Sequence, residues 1–257
     1  MLKHHHGLAD GTRADDDERH LEYRQNDKAV RQTIVRVIAS RLRRGAEYSW
    51  SANDFDFRTA FFENANFAEA KFSGTALFDE ATFSGYTDFR EAVFNESSCR
   101  QAAFADVTFH EVRFTSAATF FGAQFSGRTD FVGTIFSGPA DFRRSTFSAR
   151  ASFRNAKFSD RTRFVGVRFS GRTNFREAAF VGAATFRGAD FGSEAATFTE
   201  PKQWGPPPPE FDWNANPTTK PPNVEPNSWP PAVQGRNRPQ SPFFGAHRSF
   251  SGKHLVA

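Results

Sequence analysis

Residues 129–153 read TDFVGTIFSGPADFRRSTFSARASF, and within them Phe131, Phe136, Phe142, Phe147 and Phe153 follow one another at intervals of five or six. Two places before each stands a small residue: Thr129, Thr134, Ala140, Ser145 and Ala151. The register extends outward in both directions, back to Phe57 and on to Phe191, and Cys99 is the one position in the column that is not phenylalanine. From Phe62 onward the residue at minus two is always Ala, Ser, Thr or Val. A period of five fits neither a helical stripe nor an alternating strand, so the pattern describes a bend repeated at every unit. A short extended segment followed by a turn lets each Phe point inward while the small residue shares the interior beside it. A larger side chain at minus two would collide in a close-packed core.

Four such sides close a square coil of roughly 20 residues, and coils stack at the ~4.8 Å spacing of hydrogen-bonded strands. Phe57 to Phe191 predicts about six coils, a rod on the order of 30 Å long. The six-residue steps alternate with fives, ending at Phe78 and Phe89 and then from Phe120 to Phe186, so the inserted residues fall at the same two opposite corners. Several of these corners read Phe-Ser-Gly, as at Ser73-Gly74, Ser126-Gly127 and Ser170-Gly171. Glycine there predicts backbone at positive φ. The core is expected to hold Phe72, Phe83, Phe94, Cys99, Phe125, Phe147 and Phe169.

These units, small, polar, large apolar, polar, polar, resemble the pentapeptide-repeat family over residues 55–200. The resemblance implies a mainly β fold, a right-handed quadrilateral parallel β-helix. It also implies one specific function for some members, which bind DNA gyrase by imitating duplex DNA.

Outside the repeat the composition changes. Residues 1–16 are charged and expected to be disordered, and residues 17–49 hold an amphipathic helix. In it Leu21, Val30, Ile34, Val37, Ile38 and Leu42 recur at helical spacing, with Gly45 as a C-cap candidate. An open β-helix end exposes a Phe tier and unpaired strand edge, so this helix reads as a cap, with Trp50 covering the first coil. Self-association of the chain into a homodimer through the helix is the rival reading. Residues 201–257 carry 13 of the 14 prolines and are expected to form a disordered tail, offering Trp204, Trp213 and Trp229 as further contacts.

The chain of 257 residues has a formal net charge of +4, but its repeat is neutral overall and divided. Residues 55–111 hold 4 basic and 10 acidic side chains, residues 112–200 hold 13 basic and 7 acidic. Phasing the coils stacks Glu69, Glu91 and Glu111 into an acidic column and Arg128, Arg150 and Arg172 into a basic one. Like charges on adjacent strands oppose folding, which points to counter-charged partners.

Nothing in the sequence carries catalysis or a cofactor. Of seven histidines only His110 lies in the repeat, without a second ligand at metal spacing. His4, His5 and His6 form a short terminal tract. The Phe-Ser-Gly serines lack a histidine partner, and no phosphate-binding loop is present. Cys99, at a core position, is expected to be an inert buried thiol. No apolar run is long enough to span a membrane, and the start is too polar for a signal peptide, so the expected location is cytoplasmic. The functional expectation is a structural scaffold presenting flat repeat faces to a protein partner. DNA mimicry toward gyrase is the alternative, opposed by the neutral, half-basic rod, since mimicry needs continuous anionic surface. An anion-binding surface for nucleic acid or acidic lipid is the weaker alternative.

Overall fold

The computed structural model describes residues 11–234, with side chains from Asp27 onward. A helix, Gly11–Leu42, precedes a parallel β-solenoid of about seven turns. Its strands form two sheets of 12 and 11 strands, and every pairing between strands is parallel. Each sheet covers two sides of the rod. In the first turns single strands such as Lys71–Leu77 and Thr82–Asp88 bend across a corner, while from Arg113 onward each side has its own two-residue strand.

Four columns of rings fill the interior. One runs Phe57, Phe78, Cys99, Phe120, Phe142, Phe164, Phe186, and the others start at Phe62, Phe67 and Phe72. Vertical neighbours stack nearly parallel, Phe125 on Phe147 at 4.5 Å and 2°. Horizontal neighbours meet edge to face, Phe131 and Phe142 at 5.6 Å and 89°. Both arrangements are ones the ring quadrupole favours, and the strand spacing sets the stacking distance. Phe72, Phe83, Phe94, Phe125, Phe147 and Phe169 are buried, and so is Cys99, whereas Phe57, where the register begins, is half-buried. Burial pushes the Cys99 thiol far above its usual range.

The two kinds of corner differ. After the columns of Phe57 and Phe67 the chain makes hydrogen-bonded turns, Ala70 N–H donating to the Phe67 carbonyl at 3.1 Å and Val112 N–H to that of Phe109 at 3.1 Å. The third residue of each such turn has positive φ, as at Glu69 (61°), Glu91 (58°) and Glu111 (56°), the signature of a type II turn. The inserted residues lie at the other two corners, as the spacing predicts. They appear as shifts of register between Phe72 and Thr75 and between Phe83 and Tyr86. The expectation of positive φ at the Phe-Ser-Gly corners is corrected: only Gly85 there has it, at 70°. The others are glycine because the chain passes close to the coil below. A Cβ on Gly138 would lie 2.6 Å from the Ser116 carbonyl carbon, and one on Gly171 2.5 Å from that of Ala149.

The N-terminal helix begins at Gly11, earlier than the expected Asp17. It does cover the first coil, through Val35, Ile38, Ala39 and Leu42, the last fully buried. Lys28 Nζ pairs with Glu63 at 2.6 Å, and Arg43 forms a bridge with Ala70. Of the apolar stripe read from the sequence only Ile38 and Leu42 face the rod. Val30, Ile34 and Val37 are exposed, and the Leu21 side chain lies outside the described residues. Trp50 does not cover the first coil; it is 37% exposed. Gly45, at φ 78°, sits in a turn beyond the helix end rather than directly capping it.

A tail beginning at residue 201 is also corrected. Residues 201–234 add a further coil: Gln203–Trp204 pairs with Ala179–Phe180, and Val224–Glu225 with Ala196–Thr197. Phe211 stacks on Phe186 at 4.6 Å. Trp204, Trp213 and Trp229 meet Phe180, Phe191 and Phe198 at 5.5, 5.9 and 6.0 Å. Phe211 and the three tryptophans thus end the four columns, and proline-rich connections replace the pentapeptide corners. Proline content misled because proline's missing N–H matters little in a coil that, among the described residues, has no further coil to pair with. Residues 235–257, the rest of the expected tail, and 1–10, most of the expected disordered start, lie outside the described residues.

Candidate interaction surfaces

Glu69, Glu91 and Glu111 stand one above another, as phased from the sequence: their N–H groups donate to the carbonyls of Arg90, His110 and Val132 in the following coils. They line a groove of about 430 Å³ with Arg44 and Arg113 among its other walls. The same turn position continues upward as Gly133, Asn155, Glu177 and Glu200. The acidic strip is therefore interrupted at Gly133 and Asn155. Glu177 beyond them lies 3.5 Å from Arg154 and Glu200 2.8 Å from Arg176.

Arg128, Arg150 and Arg172 also stack. The Arg128 carbonyl accepts from Val107, that of Arg150 from Thr129 and that of Arg172 from Ala151, at 2.9 to 3.0 Å. Acids bound the column at both ends. Asp106 accepts the Arg128 N–H at 2.7 Å from below, and Glu194 stands 3.8 Å from Arg172 Nε above. The Arg172 side chain is 76% exposed. Among the described residues neither Arg128 nor Arg150 has a carboxylate at ion-pair distance.

The sequence phasing treated these columns as separate, yet they are two edges of one side. That side runs from Arg128 through Thr129–Asp130 and Phe131 to the turn at Gly133, one coil above Glu111. Its middle carries Asp88 and Arg90, then His110, then Asp130, then Arg154 and Arg176 on successive coils. Acidic groups thus occupy one edge of its lower half and arginines its upper half.

Two features went unread. Asp-Phe-Arg occurs at 56–58, 88–90 and 141–143. In each copy the Asp accepts the backbone N–H of the Arg and a bidentate bond from its guanidinium, Asp88 from Arg90 at 2.9 and 2.7 Å. The Arg58 hydrogen bonds bring Asp56 down to about 2, and those of Arg143 lower Asp141 against an opposing effect of burial. These acids act as local staples on the turn. The second feature is Phe121, the residue after core Phe120, whose ring points outward between Arg100 at 5.2 Å and Arg143 at 5.5 Å, a cation–π pair on either side. His110 points outward, its Nε2 3.4 Å from Glu111. Among the described residues no group of side chains could hold a metal ion and no helix is long and apolar enough to cross a membrane. His4, His5 and His6 lie outside them.

Residues 67–113, 100–145, 120–168 and 131–179 each match the family model described as pentapeptide repeats (9 copies). No curated protein matches the sequence. Among solved structures the chain is similar to HetL, a pentapeptide repeat protein involved in heterocyst differentiation regulation from the cyanobacterium Nostoc sp. strain PCC 7120. That match has 16% identity and covers 55% of this chain and 78% of HetL. Its TM-score is 0.14, too poor a superposition to bear on this chain.

Proposed function

The chain belongs, through residues 67–179, to the pentapeptide-repeat family, and on that footing we propose that it is a non-catalytic scaffold whose flat sides hold a protein partner. One observation carries the reading. Both ends of the rod are occupied by the chain itself, by Leu42 and its neighbours below and by Phe211 and the tryptophans above. The surface left to a partner is lateral, and one lateral side has its charges sorted into an acidic edge and an arginine-rich upper half. A cytoplasmic site of action is part of this reading.

The gyrase reading receives no support from the side faces, because the acidic strip breaks at Gly133 and Asn155 well short of a continuous anionic rod. The test is affinity capture from the native host's lysate with the wild-type chain and with Arg128→Glu, Arg150→Glu, Arg172→Glu combined. The scaffold reading expects a specific protein retained by wild type and lost by the triple variant at unchanged melting temperature. Gyrase subunits in the eluate would restore the mimic reading. Nucleic acid alone, released by salt, would replace the scaffold with an anion-binding surface.

A further inference from the structure

The described residues expose seven large apolar side chains, and six of them lie at the N-terminal end of the rod: Val30, Ile34, Val37, Tyr48, Trp50 and Phe61. Val30, Ile34 and Val37 follow at spacings of four and three along the helix, which places them in one stripe on the side away from Val35, Ala39 and Leu42. The stripe continues beyond the helix, since Arg41, the next residue in that spacing, holds its guanidinium 5.8 Å from the Tyr48 ring and accepts the Trp50 N–H at its carbonyl. A monomeric chain gains nothing by leaving such a strip in water, and contiguous exposed apolar surface marks an interaction site.

Charge along the same helix selects the occupant. Residues 11–27 contain three basic and six acidic side chains, net −3, whereas residues 28–44 contain six basic and no acidic ones, net +6. Two such helices side by side in opposite directions set the acidic half of each against the basic half of the other. Set in the same direction, they would oppose like charges. With a two-fold axis near Val30, Val30 meets its own copy, Ile34 and Val37 lie level with Asn26 and Tyr23 of the other chain, and Asp16 and Asp17 lie level with Arg44 and Arg43. An anionic membrane fits less well, because the acidic run of the helix and residues 55–111 of the rod, with 4 basic and 10 acidic side chains, would be brought to the lipid as well.

We propose that the outer face of this helix, through Val30, Ile34 and Val37, docks on the same face of a second copy of the chain in antiparallel orientation. The contact is isologous, as closed two-fold dimers require, and it joins two rods at their N-terminal ends with their side faces left open.

Sedimentation equilibrium on the full chain at tens of micromolar tests it, comparing wild type with Ile34→Asp, Val37→Asp combined. The expected result is a dimer for wild type and a monomer for the variant, with an unchanged circular dichroism spectrum, since both side chains are exposed. Orientation is read by cross-linking, for which the buried Cys99 leaves a clean background. A mixture of Tyr23→Cys and Val37→Cys chains, positions that lie level on the stripe about an axis at Val30, is expected to form a disulfide-linked heterodimer, and neither alone to do so. A monomeric wild type, a dimer that survives the double substitution, or cross-linking within Val37→Cys alone would each overturn the proposal. So would a monomer that sediments with phosphatidylserine vesicles through the same stripe, which would make the occupant lipid.

Discussion

Phe211→Ala is a sharp perturbation because a proline-rich tail free in solution would not register it. In the structure Phe211 is 3% exposed, stacks on Phe186 at 4.6 Å and Trp213 at 4.8 Å, and meets Trp229 edge-on at 5.0 Å. Truncating a buried phenylalanine costs about 3 to 5 kcal/mol, and these aromatic pairs place this site toward the middle or top of that range, about 4 kcal/mol. The last coil rests on one neighbour only, so its own share of the stability is what the substitution removes. With a urea dependence of roughly 2 kcal/mol per molar, the coil's unfolding should move down by about 2 M. Tryptophan fluorescence reports it directly, because Trp204, Trp213 and Trp229 all lie in the coil and the exposed Trp50 can be removed as Trp50→Phe. The expected result is a fluorescence transition about 2 M earlier in the variant while far-ultraviolet circular dichroism still reports an intact rod. A native wild-type spectrum already at the solvent-exposed position, or no shift on substitution, would refute the closing role of residues 201–234.

Three further outcomes follow from the corners, the staples and the core. Gly138→Ala should destabilise far more than Gly166→Asn in thermal melts, because a Cβ on Gly138 meets backbone at 2.6 Å whereas Gly166 at φ 65° has open space, and asparagine tolerates that conformation. Equal losses would contradict this division of the corners. Carboxyls held low in the folded state, Asp56 at about 2 and Asp141 below its usual range, contribute stability above about pH 4 that is lost as pH falls toward 2. The acid limb of a stability–pH curve should therefore flatten in Asp56→Asn, Asp141→Asn, and an unchanged limb would remove the staple role. Cys99 should react with a thiol reagent only at the rate of chain opening, so that reaction and unfolding rise together with denaturant; fast labelling of the native chain would place it outside the core.

The repeat was legible because its constraint is local and repeated. Every Phe must enter the core and every minus-two residue must fit beside it, and the five- and six-residue steps fix which corner receives the extra residue. That phasing also stacked Glu69 over Glu91 and Arg128 over Arg150 correctly. Glycine roles were less legible, since Gly138 is excluded from bearing a side chain by the backbone of Ser116, some 22 residues earlier, which spacing alone does not reveal. The type II turns at the other corners hold Glu69 and Asn155 as well as Gly133 at positive φ, so that conformation left no uniform compositional mark. The helix misled because two apolar stripes share it, and only contact with the first coil separates Leu42 from Val37. The final coil was hidden by its prolines, although Trp204, Phe211, Trp213 and Trp229 were the signal of continued columns. The placement of both charged columns on one side became visible only once the four sides were closed.

Hydrogen exchange on the captured complex, read residue by residue against the free chain, tests the scaffold account most directly. The account predicts new protection along the lateral side bearing Arg128, Arg150 and Arg172, with the coil at 201–234 and the first coil unchanged. Protection confined to the closing coil, or none on that side while the partner is bound, would contradict it.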